Sequence, residues 1–181
     1  MSAGVIRVDA PRAGVKGPGA AAWLAARGLP VPASPNTWLA LPDSGVIGRL
    51  AYTEFFVEGD TAIALERDAL DAPAGVYPVL RRDLGLVLSG EHALDVLAQT
   101  CNVHFAALDL DARPLVMTSM VGVSVLVIPE RRADSIAYRI WCDPTYGAYL
   151  HRTLHSIATE EDGGHVHARP ASVSTSSGGG P

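Results

Sequence analysis

The sequence predicts an α+β fold built from two related halves, each with an antiparallel or mixed sheet and helices packed on one face. The segments VKGPGAAAWLAARGL (15–29) and LSGEHALDVLAQTCN (88–102) both pass from a strand end through a glycine turn into a short helix. At a shift of 73 residues, Gly17 aligns with Gly90. Because predicted strands outnumber helices and the connections are short, a doubly wound parallel sheet is disfavoured, and we expect two ferredoxin-like halves.

The chain divides into segments of different composition. A single α+β domain is expected over residues 13–159, with a loose segment on each side. The five expected regions are a flexible N-terminal arm over 1–12, a first half over 13–65, a connector over 66–78, a second half over 79–159 and a disordered tail over 160–181. Pro11 and the polar start indicate the arm, and the Gly/Ser-rich ending STSSGGGP indicates the tail.

The first half alternates strand-like runs with one short helix. The predicted elements are a strand over 13–16, a helix over 20–27, strands over 37–41, 45–51 and 53–58, and a weaker strand over 62–65. Gly28 is suited to end the helix in the left-handed conformation. The proline-rich segment GLPVPASPN that follows is expected to be an extended connector.

The second half repeats this order. The predicted elements are a strand over 84–88, a helix over 91–100, strands over 115–121, 123–128 and 136–142, and a final helix that begins at Pro144. Asp143 is a suitable N-cap, and proline is favoured at the first helical position. Apolar residues at helical spacing from Tyr146 to Ile157 indicate that this helix packs on the sheet.

Composition excludes several classes of protein. The chain has 181 residues, 48% of them hydrophobic and 18% charged, which is typical of a globular domain. Its net charge of −5 and scattered arginines argue against nucleic-acid binding. Neither a signal peptide nor a membrane-spanning run is apparent, so a cytoplasmic protein without membrane contact is expected. Two cysteines do not make a disulfide framework.

The residues that could carry chemistry are isolated. Cys101 and Cys142 are better explained as buried small hydrophobes than as nucleophiles, although His104 follows the first closely. His151 and His155 have the i, i+4 spacing of a metal pair but lack a third ligand, so a solvated helix face is favoured. The HxH pair at 165 and 167 falls in the predicted tail, and no metal is assigned to it.

The glycine turns and acidic residues suggest no site either. VKGPGA lacks the spacing of a phosphate-binding loop, and a tight strand-to-helix turn explains Gly17 and Gly90 equally well. Asp109 and Asp111 alternate in a loop without an evident partner. We therefore predict no catalytic, cofactor-binding or metal-binding residue, and a structural or interaction role for the chain.

Three segments of the second half resemble a known family when their order and spacing are considered together. LSGEHALDVLAQTC, TSMVGVSVLVIPE and YRIWCDPTYGAYLHRTL resemble the gamma subunit of heterotetrameric sarcosine oxidase and the related small subunit of N-methylglutamate dehydrogenase. VKGPGAAAWLAARGLPVP and RLAYTEFFVE resemble the first half of such chains. The resemblance covers about residues 13–158. That family is similar in fold to the folate-binding aminomethyltransferase, or T-protein, of the glycine cleavage system.

The resemblance implies a non-catalytic subunit within a larger oxidoreductase. The partners it implies are a large alpha subunit with NAD and folate regions, a flavin-bearing beta subunit with FAD and FMN, and a small zinc-binding delta subunit. Such a complex oxidises an N-methyl amino acid and passes the one-carbon unit to tetrahydrofolate or releases formaldehyde. No cofactor is expected on this chain. Exposed aromatic residues would anchor the partners, and Trp38, Tyr52 and Trp141 are the candidates, although for each a core position is favoured over an interface one.

Two other hypotheses remain open. RLAYTEFFVE is a shortened relative of the GYTGEDGFE-type strand of the aminomethyltransferases and lacks its Gly-Glu-Asp insertion. A stand-alone folate-binding or one-carbon-transfer protein is the alternative, and it predicts a pocket between the halves lined by an acid and an aromatic ring. The third hypothesis is a sensor or scaffold that uses the fold for another purpose.

Overall fold

The computed structural model describes residues 3–133 and 135–164, with side chains described as far as residue 160. Its strands are β1 (Gly4–Val8), β2 (Arg12–Lys16), β3 (Thr37–Ala40), β4 (Val46–Ala51), β5 (Glu54–Glu58), β6 (Tyr77–Val79), β7 (Leu84–Ser89), β8 (Val116–Met120), β9 (Val123–Arg132) and β10 (Ser135–Cys142). Its α-helices are α1 (Ala20–Ala26), α2 (Thr61–Asp68), α3 (Ala93–Thr100) and α4 (Gly147–Gly164). Single 3₁₀ turns cover Ala69–Asp71, Phe105–Ala107, Leu110–Ala112 and Pro144–Tyr146.

The strands form two antiparallel sheets that face each other. Sheet I has the order β3-β4-β5-β2-β6, and sheet II has the order β1-β7-β10-β9-β8. Helices α1 and α2 pack on one face of sheet I, whereas α3 and α4 pack on one face of sheet II. A third apolar cluster, which includes Phe56 and Trp141, lies between the sheets. The α+β class with helices on one face of each sheet is therefore confirmed.

The internal repeat predicted from the glycine turns is visible in the topology. Both halves follow the order β-α-β-β-β-α, from β2 to α2 and from β7 to α4. Gly17 and Gly90 have nearly the same positive backbone angle, with φ of 117° and 112°. Strands β1 and β6, which precede the two units, are exchanged: β1 pairs with β7 of sheet II, and β6 pairs with β2 of sheet I. The strand that precedes each unit thus forms one edge of the other unit's sheet.

The description of each half as ferredoxin-like is not confirmed. A ferredoxin-like unit has the order β-α-β-β-α-β, in which two strands separate the helices. Here three strands separate them, because β3 and β8 extend each sheet by one strand. In sheet II, the strand beside β7 also comes from the start of the chain rather than from after α4.

The expected flexible arm contains a paired strand. Residues of β1 pair with β7 from Gly4 opposite Ser89 to Val8 opposite Gly85, and Val5 is buried in the core beneath sheet II. Arg12, the last residue assigned to the arm, begins β2 and is also buried. The expectation was wrong because the alternating residues of GVIRV form an edge strand whose partner lies about 80 positions away.

The weak strand predicted over 62–65 is a helix. Ala62, Leu65 and Ala69 fall at helical spacing and bury one face of α2 and its following turn against sheet I. The carboxylate of Asp43 caps the helix start from a distant turn, accepting hydrogen bonds from Thr61 N at 2.7 Å and Thr61 Oγ1 at 2.8 Å. The predicted connector over 66–78 consequently contains the end of α2, a 3₁₀ turn and most of β6.

The final helix begins as its capping residues predict. Asp143 Oδ1 accepts a hydrogen bond from Thr145 N at 2.8 Å, and Pro144 opens the 3₁₀ turn that leads into α4. Leu150 and Leu154 are fully buried against sheet II. The helix continues to Gly164, five residues into the expected disordered tail, and the rest of that tail lies outside the described residues. Among the described helices, none combines the length and the apolar character needed to cross a membrane.

Candidate functional site

The most unusual group of side chains is a cluster of charges between the sheets. Glu58, at the end of β5, is only 2% exposed. Its Oε2 accepts hydrogen bonds from Arg12 Nε at 2.8 Å and from the indole N–H of Trp141, and its Oε1 accepts one from Arg139 Nη1 at 3.2 Å. A buried carboxylate is tolerated when charged donors surround it in this way. We refer to Arg12, Glu58, Glu130, Arg139 and Trp141 as the ionic cluster.

Arg139 connects this cluster to the edge of sheet II. Its Nε and Nη2 donate to the two carboxylate oxygens of Glu130, each at 3.1 Å, in the two-pronged geometry that arginine favours. Burial alone would raise the pKa of Glu130, but hydrogen bonds and charge from Arg139 and Arg132 outweigh burial and hold that pKa below its usual value. Arg139 Nη2 also donates to the carbonyl oxygen of Ser44, which ties sheet II to a turn of sheet I.

The remaining donors of Arg12 bind backbone carbonyls at the end of β1 and just before β7. Nη1 donates to the carbonyl of Asp83 at 2.9 Å, and Nη2 donates to the carbonyl of Val8 at 3.0 Å. The guanidinium lies against β7 at Gly85, where a Cβ would be only 2.3 Å from Arg12 Nη2. Glycine at this position is what leaves room for the arginine.

A cleft opens next to Arg12, where the two halves meet. Its volume is about 490 Å³, and its walls are the connector from β1 to β2 and the connector from β6 to β7. These connectors occupy equivalent places in the two units. The charged residues that line the cleft are Arg7, Asp9, Arg12, Arg81, Arg82 and Asp83. Aliphatic residues complete the lining, and none of the described residues that form it has an aromatic ring.

The three aromatic residues predicted as partner anchors occupy different places. Trp38 and Trp141 are 8% and 2% exposed and pack in the cluster between the sheets, so neither presents a surface to another chain. Their expected role as interface anchors is therefore corrected to a core role. Tyr52 is 79% exposed in the turn between β4 and β5, which leaves it as the surface candidate of the three.

The cysteines and histidines are dispersed. Cys142 is buried under sheet II, and burial raises the pKa of its thiol to about 11, so the thiol is protonated at neutral pH. Cys101 lies at the end of α3, where its sulfur contacts the Leu97 carbonyl. His151 and His155 stack on the outer face of α4 with ring centroids 6.2 Å apart. The residues at 165 and 167 are outside the described part of the chain.

The turn at Gly17 is a place of close backbone packing. Gly17 N donates to the Thr53 carbonyl, and a Cβ on residue 17 would lie 2.3 Å from the Gly75 carbonyl oxygen. Close backbone packing therefore requires this glycine. Asp109 accepts from Asp111 N within a 3₁₀ turn, and Asp111 pairs with exposed Arg131. Across residues 3–133 and 135–160, no three His, Cys, Asp or Glu side chains gather as a metal site would require.

Sequence reasoning missed the ionic cluster and the cleft. Glu58 ends a strand that was correctly predicted, and Arg139 alternates with apolar residues of β10. Neither observation indicates which charged residues pair in the folded protein. Arg12 and Glu58 are 46 positions apart, and Trp141 and Glu58 are 83 apart. One signal was available: a charged residue within a strand whose other residues are mostly apolar. Such a pattern indicates that both faces of the strand are buried, one of them against a second sheet.

Comparison with solved structures identifies proteins of the same fold. A chain of the heterotetrameric sarcosine oxidase from Corynebacterium sp. U-96, solved with pyrrole 2-carboxylate, matches with a TM-score of 0.66 and 20% identity over 87% of this chain and 84% of that chain. The aminomethyltransferase T of the glycine cleavage system from Bartonella henselae matches with a TM-score of 0.60 and 15% identity over 85% of this chain. This chain spans 45% of that enzyme's length.

These two proteins are of the kinds that the sequence resembles, so the expected aminomethyltransferase-like fold is confirmed. No protein-family model matches the chain, and no curated protein matches it by sequence. At identities of 15–20%, the likeness establishes architecture. Function has to be argued from the residues of this chain.

Proposed function

We propose that this chain is a gamma-type, non-catalytic subunit of a heterotetrameric, flavin-dependent oxidase of N-methyl amino acids. In this proposal it packs on the large alpha subunit and fixes the geometry of the assembly. FAD, FMN, NAD, zinc and tetrahydrofolate belong to the alpha, beta and delta partners. The complex oxidises the N-methyl group, and the one-carbon unit passes to tetrahydrofolate or leaves as formaldehyde.

The observation that carries the proposal is the extent of the fold match. The alignment with the sarcosine oxidase chain covers 87% of this chain and 84% of the other, so the two have nearly the same size and architecture. The match to the aminomethyltransferase stops at 45% of that enzyme. Agreement over most of one chain of the oxidase supports a subunit role of this kind.

The ionic cluster supports a structural role. Glu58, the most deeply buried carboxylate among the described residues, already accepts bonds from Arg12, Arg139 and Trp141, which come from both sheets. A general base needs a lone pair directed at substrate, whereas these oxygens are directed at fixed donors. Their arrangement is suited to holding two sheets in register.

Purification of the tagged full chain from its native cell tests the proposal. We expect it to co-purify with larger chains that carry flavin absorbance and that reduce an electron acceptor when an N-methyl amino acid is added. Size-exclusion chromatography should place all of them in one peak. Recovery of the chain by itself, as a monomer without flavin, would refute the subunit role.

Tyr52 offers a sharper test of where the partners bind. Its exposed ring sits at a turn tip, and aromatic residues of this kind concentrate interface energy. We expect Tyr52→Ala to weaken co-purification at least tenfold, which corresponds to about 1.4 kcal/mol. Tyr146→Ala, which removes another exposed ring at the start of the final helix, is the matched control. Equal effects of both changes would remove Tyr52 from the interface.

The cleft bears on the folate-binding alternative. That hypothesis predicts a pocket between the halves with an acid and an aromatic ring. The cleft lies between the halves and contains Asp9 and Asp83, but the described part of its lining has no ring on which a pterin could stack. Calorimetry with a reduced folate separates the alternatives: saturable micromolar binding by the isolated chain favours a stand-alone folate protein, and no heat favours the subunit.

A further inference from the structure

A pair of histidines on the final helix has the arrangement of a metal chelate. His151 and His155 are four residues apart on α4, so their side chains leave the same face of the helix one turn apart. Their rings are nearly parallel, with an angle of 6° between the planes and centroids 6.2 Å apart. The spacing in the sequence permits such an approach, and the structure shows that the two rings make it.

Both imidazoles are free to bind a ligand. His155 is exposed and His151 is half-buried. Among the residues whose side chains the structure describes, neither ring makes a hydrogen bond or an ion pair. Thr159 follows on the same face, and its hydroxyl donates to the backbone carbonyl of His155 at 2.8 Å rather than to the ring. The ring nitrogens of both histidines therefore keep their lone pairs and N–H groups for another partner.

The separation of the rings suits a single metal ion after a small movement. Imidazole nitrogens bind divalent transition metals at about 2.0–2.1 Å, which places two rings on one ion with their centroids about 5 Å apart. The rings therefore have to approach by about 1 Å from their present 6.2 Å. Rotation about side-chain bonds supplies this movement, because exposed side chains change rotamer readily. The helix backbone does not have to change.

The fold itself does not require the two histidines. Helix α4 packs on sheet II through Leu150, Leu154 and Ala158, and neither histidine belongs to that apolar cluster. The equivalent helix of the first unit, α2, has the sequence TAIALERD and packs on sheet I without a histidine. The pair is therefore a feature of the second unit that the duplicated architecture does not explain.

The number of ligands defines the kind of site. Structural and catalytic zinc sites use three or four protein ligands, and no such group is found over residues 3–133 and 135–160. The segment HRTLH has the histidine spacing of the metalloprotease helix, but Arg152 stands where that motif has its glutamate base. Two ligands without a base can bind a metal ion and release it again, but they do not supply the proton transfer that hydrolysis needs.

Imidazole ligands also select the class of metal. They suit Zn²⁺, Cu²⁺ and Ni²⁺, whereas Mg²⁺ prefers oxygen ligands, and Cu²⁺ binds most tightly to a given set of nitrogen ligands. We propose that His151 and His155 form an exchangeable binding site for a divalent transition metal, with Cu²⁺ preferred and water at the remaining positions. The site lies on the exposed side of α4 and does not depend on the proposed subunit role.

Isothermal titration of the full chain, without an affinity tag, tests this site. The chain carries His165→Ala and His167→Ala, so that the pair outside the described residues cannot contribute. We expect saturable binding of one equivalent of Cu²⁺, weaker binding of Ni²⁺ and none of Mg²⁺. Absence of saturable binding of Cu²⁺ and Ni²⁺ would refute the proposal. Binding of inorganic phosphate in their place would also overturn it, in favour of an anion site at Arg152.

Variants in the same background locate the binding. His151→Ala and His155→Ala should each weaken Cu²⁺ binding at least tenfold, because the second imidazole of a chelate acts at high effective concentration. The matched control His155→Ser/Ser156→His exchanges two neighbouring residues. It keeps the composition but moves one imidazole by about 100° around the helix.

The exchanged variant should lose affinity as strongly as the alanine variants. Circular dichroism melts without metal should be the same for all of these chains, and Ni²⁺ should raise the melting temperature only where both histidines keep their spacing. Unchanged Cu²⁺ affinity in the exchanged variant, or in either alanine variant, would show that the two rings do not act as a chelate and would overturn the assignment.

Discussion

Two regions of the space between the sheets are held together by different forces. In one, contacts between apolar side chains hold the sheets together; the cluster consists of Trp38, Val46, Leu50, Phe56, Leu115, Ile128 and Trp141. In the other, the ionic cluster joins the same two sheets through hydrogen-bonded charges. Trp141 belongs to both, because its ring packs edge-on to Phe56 with centroids 5.0 Å apart while its N–H reaches Glu58.

This difference shows how the alignment of the two sheets is determined. Apolar packing stabilises contact between sheets but tolerates small shifts in their alignment. A carboxylate that needs three donors from two strands, β2 of sheet I and β10 of sheet II, allows only one alignment, because any shift leaves a buried charge unpaired. We therefore expect the apolar cluster to supply most of the stability and the ionic cluster to select the register.

The largest effect is expected from removing Glu58. Glu58→Ala leaves Arg12, Arg139 and the Trp141 indole without their common acceptor, and breaking a buried charge pair from one side costs about 3–5 kcal/mol. Urea denaturation followed by circular dichroism measures the free energy of unfolding. Glu54→Ala, which breaks a more exposed pair with Arg81, is the control and should cost far less. Equal losses would show that burial of the charge is unimportant here.

A somewhat smaller effect is expected from the apolar cluster. Leu115 is buried between the sheets, and Leu115→Ala should lower the free energy of unfolding by about 2–4 kcal/mol because it removes apolar contact and leaves a cavity. Unlike Glu58→Ala, it should leave the near-ultraviolet spectrum of the tryptophans native in shape. Leu80→Ala, at a 70% exposed position, is the matched control. A loss below 1 kcal/mol would mean that the sheets are not held by this cluster.

The pH dependence of stability should also distinguish the ionic cluster from the apolar cluster. The pKa of Glu130 is held below its usual value in the folded state, so its ion pairs stabilise the fold fully above the unfolded pKa, near the ordinary 4.5. That contribution disappears as the pH falls through the folded pKa. Denaturation of the wild type and Glu130→Gln should therefore differ by a constant amount near neutral pH and converge in acid. Leu115→Ala should show no such convergence, and parallel curves for both variants would contradict the assignment.

The smallest effect is expected at the turn where the Ser44 carbonyl accepts a hydrogen bond from Arg139. Asp43 precedes Ser44, and it caps α2 through Thr61. Burial alone would raise the pKa of Asp43, but hydrogen bonds from Thr61 and Gly45 lower it. Asp43→Ala should cost about 1 kcal/mol, the usual value of a lost cap. Asp43→Asn, which keeps an acceptor oxygen, should recover part of this in thermal melts, and a larger loss in the Asn variant would argue against capping.

Local signals in the chain were sufficient for most of the elements. The glycine turns, the apolar runs and the Asp-Pro cap located the helices α1, α3 and α4 and the strands of both units, because these signals act over a few residues. Thr61–Asp68 was missed because its capping group, Asp43, comes from elsewhere in the chain. Strand β1 was missed because an edge strand is defined by its partner, and β7 is far away in sequence.

The sequence alone therefore determined most elements of the two units, the repeat and the α+β class, since each depends on neighbouring residues. Tertiary structure decided which sheet each leading strand joined, which charges met between the sheets and where the cleft opened. The physical reason is that an isolated Arg12 or Glu58 would prefer water. Only when two sheets close around them do burial and pairing make each charge dependent on the others.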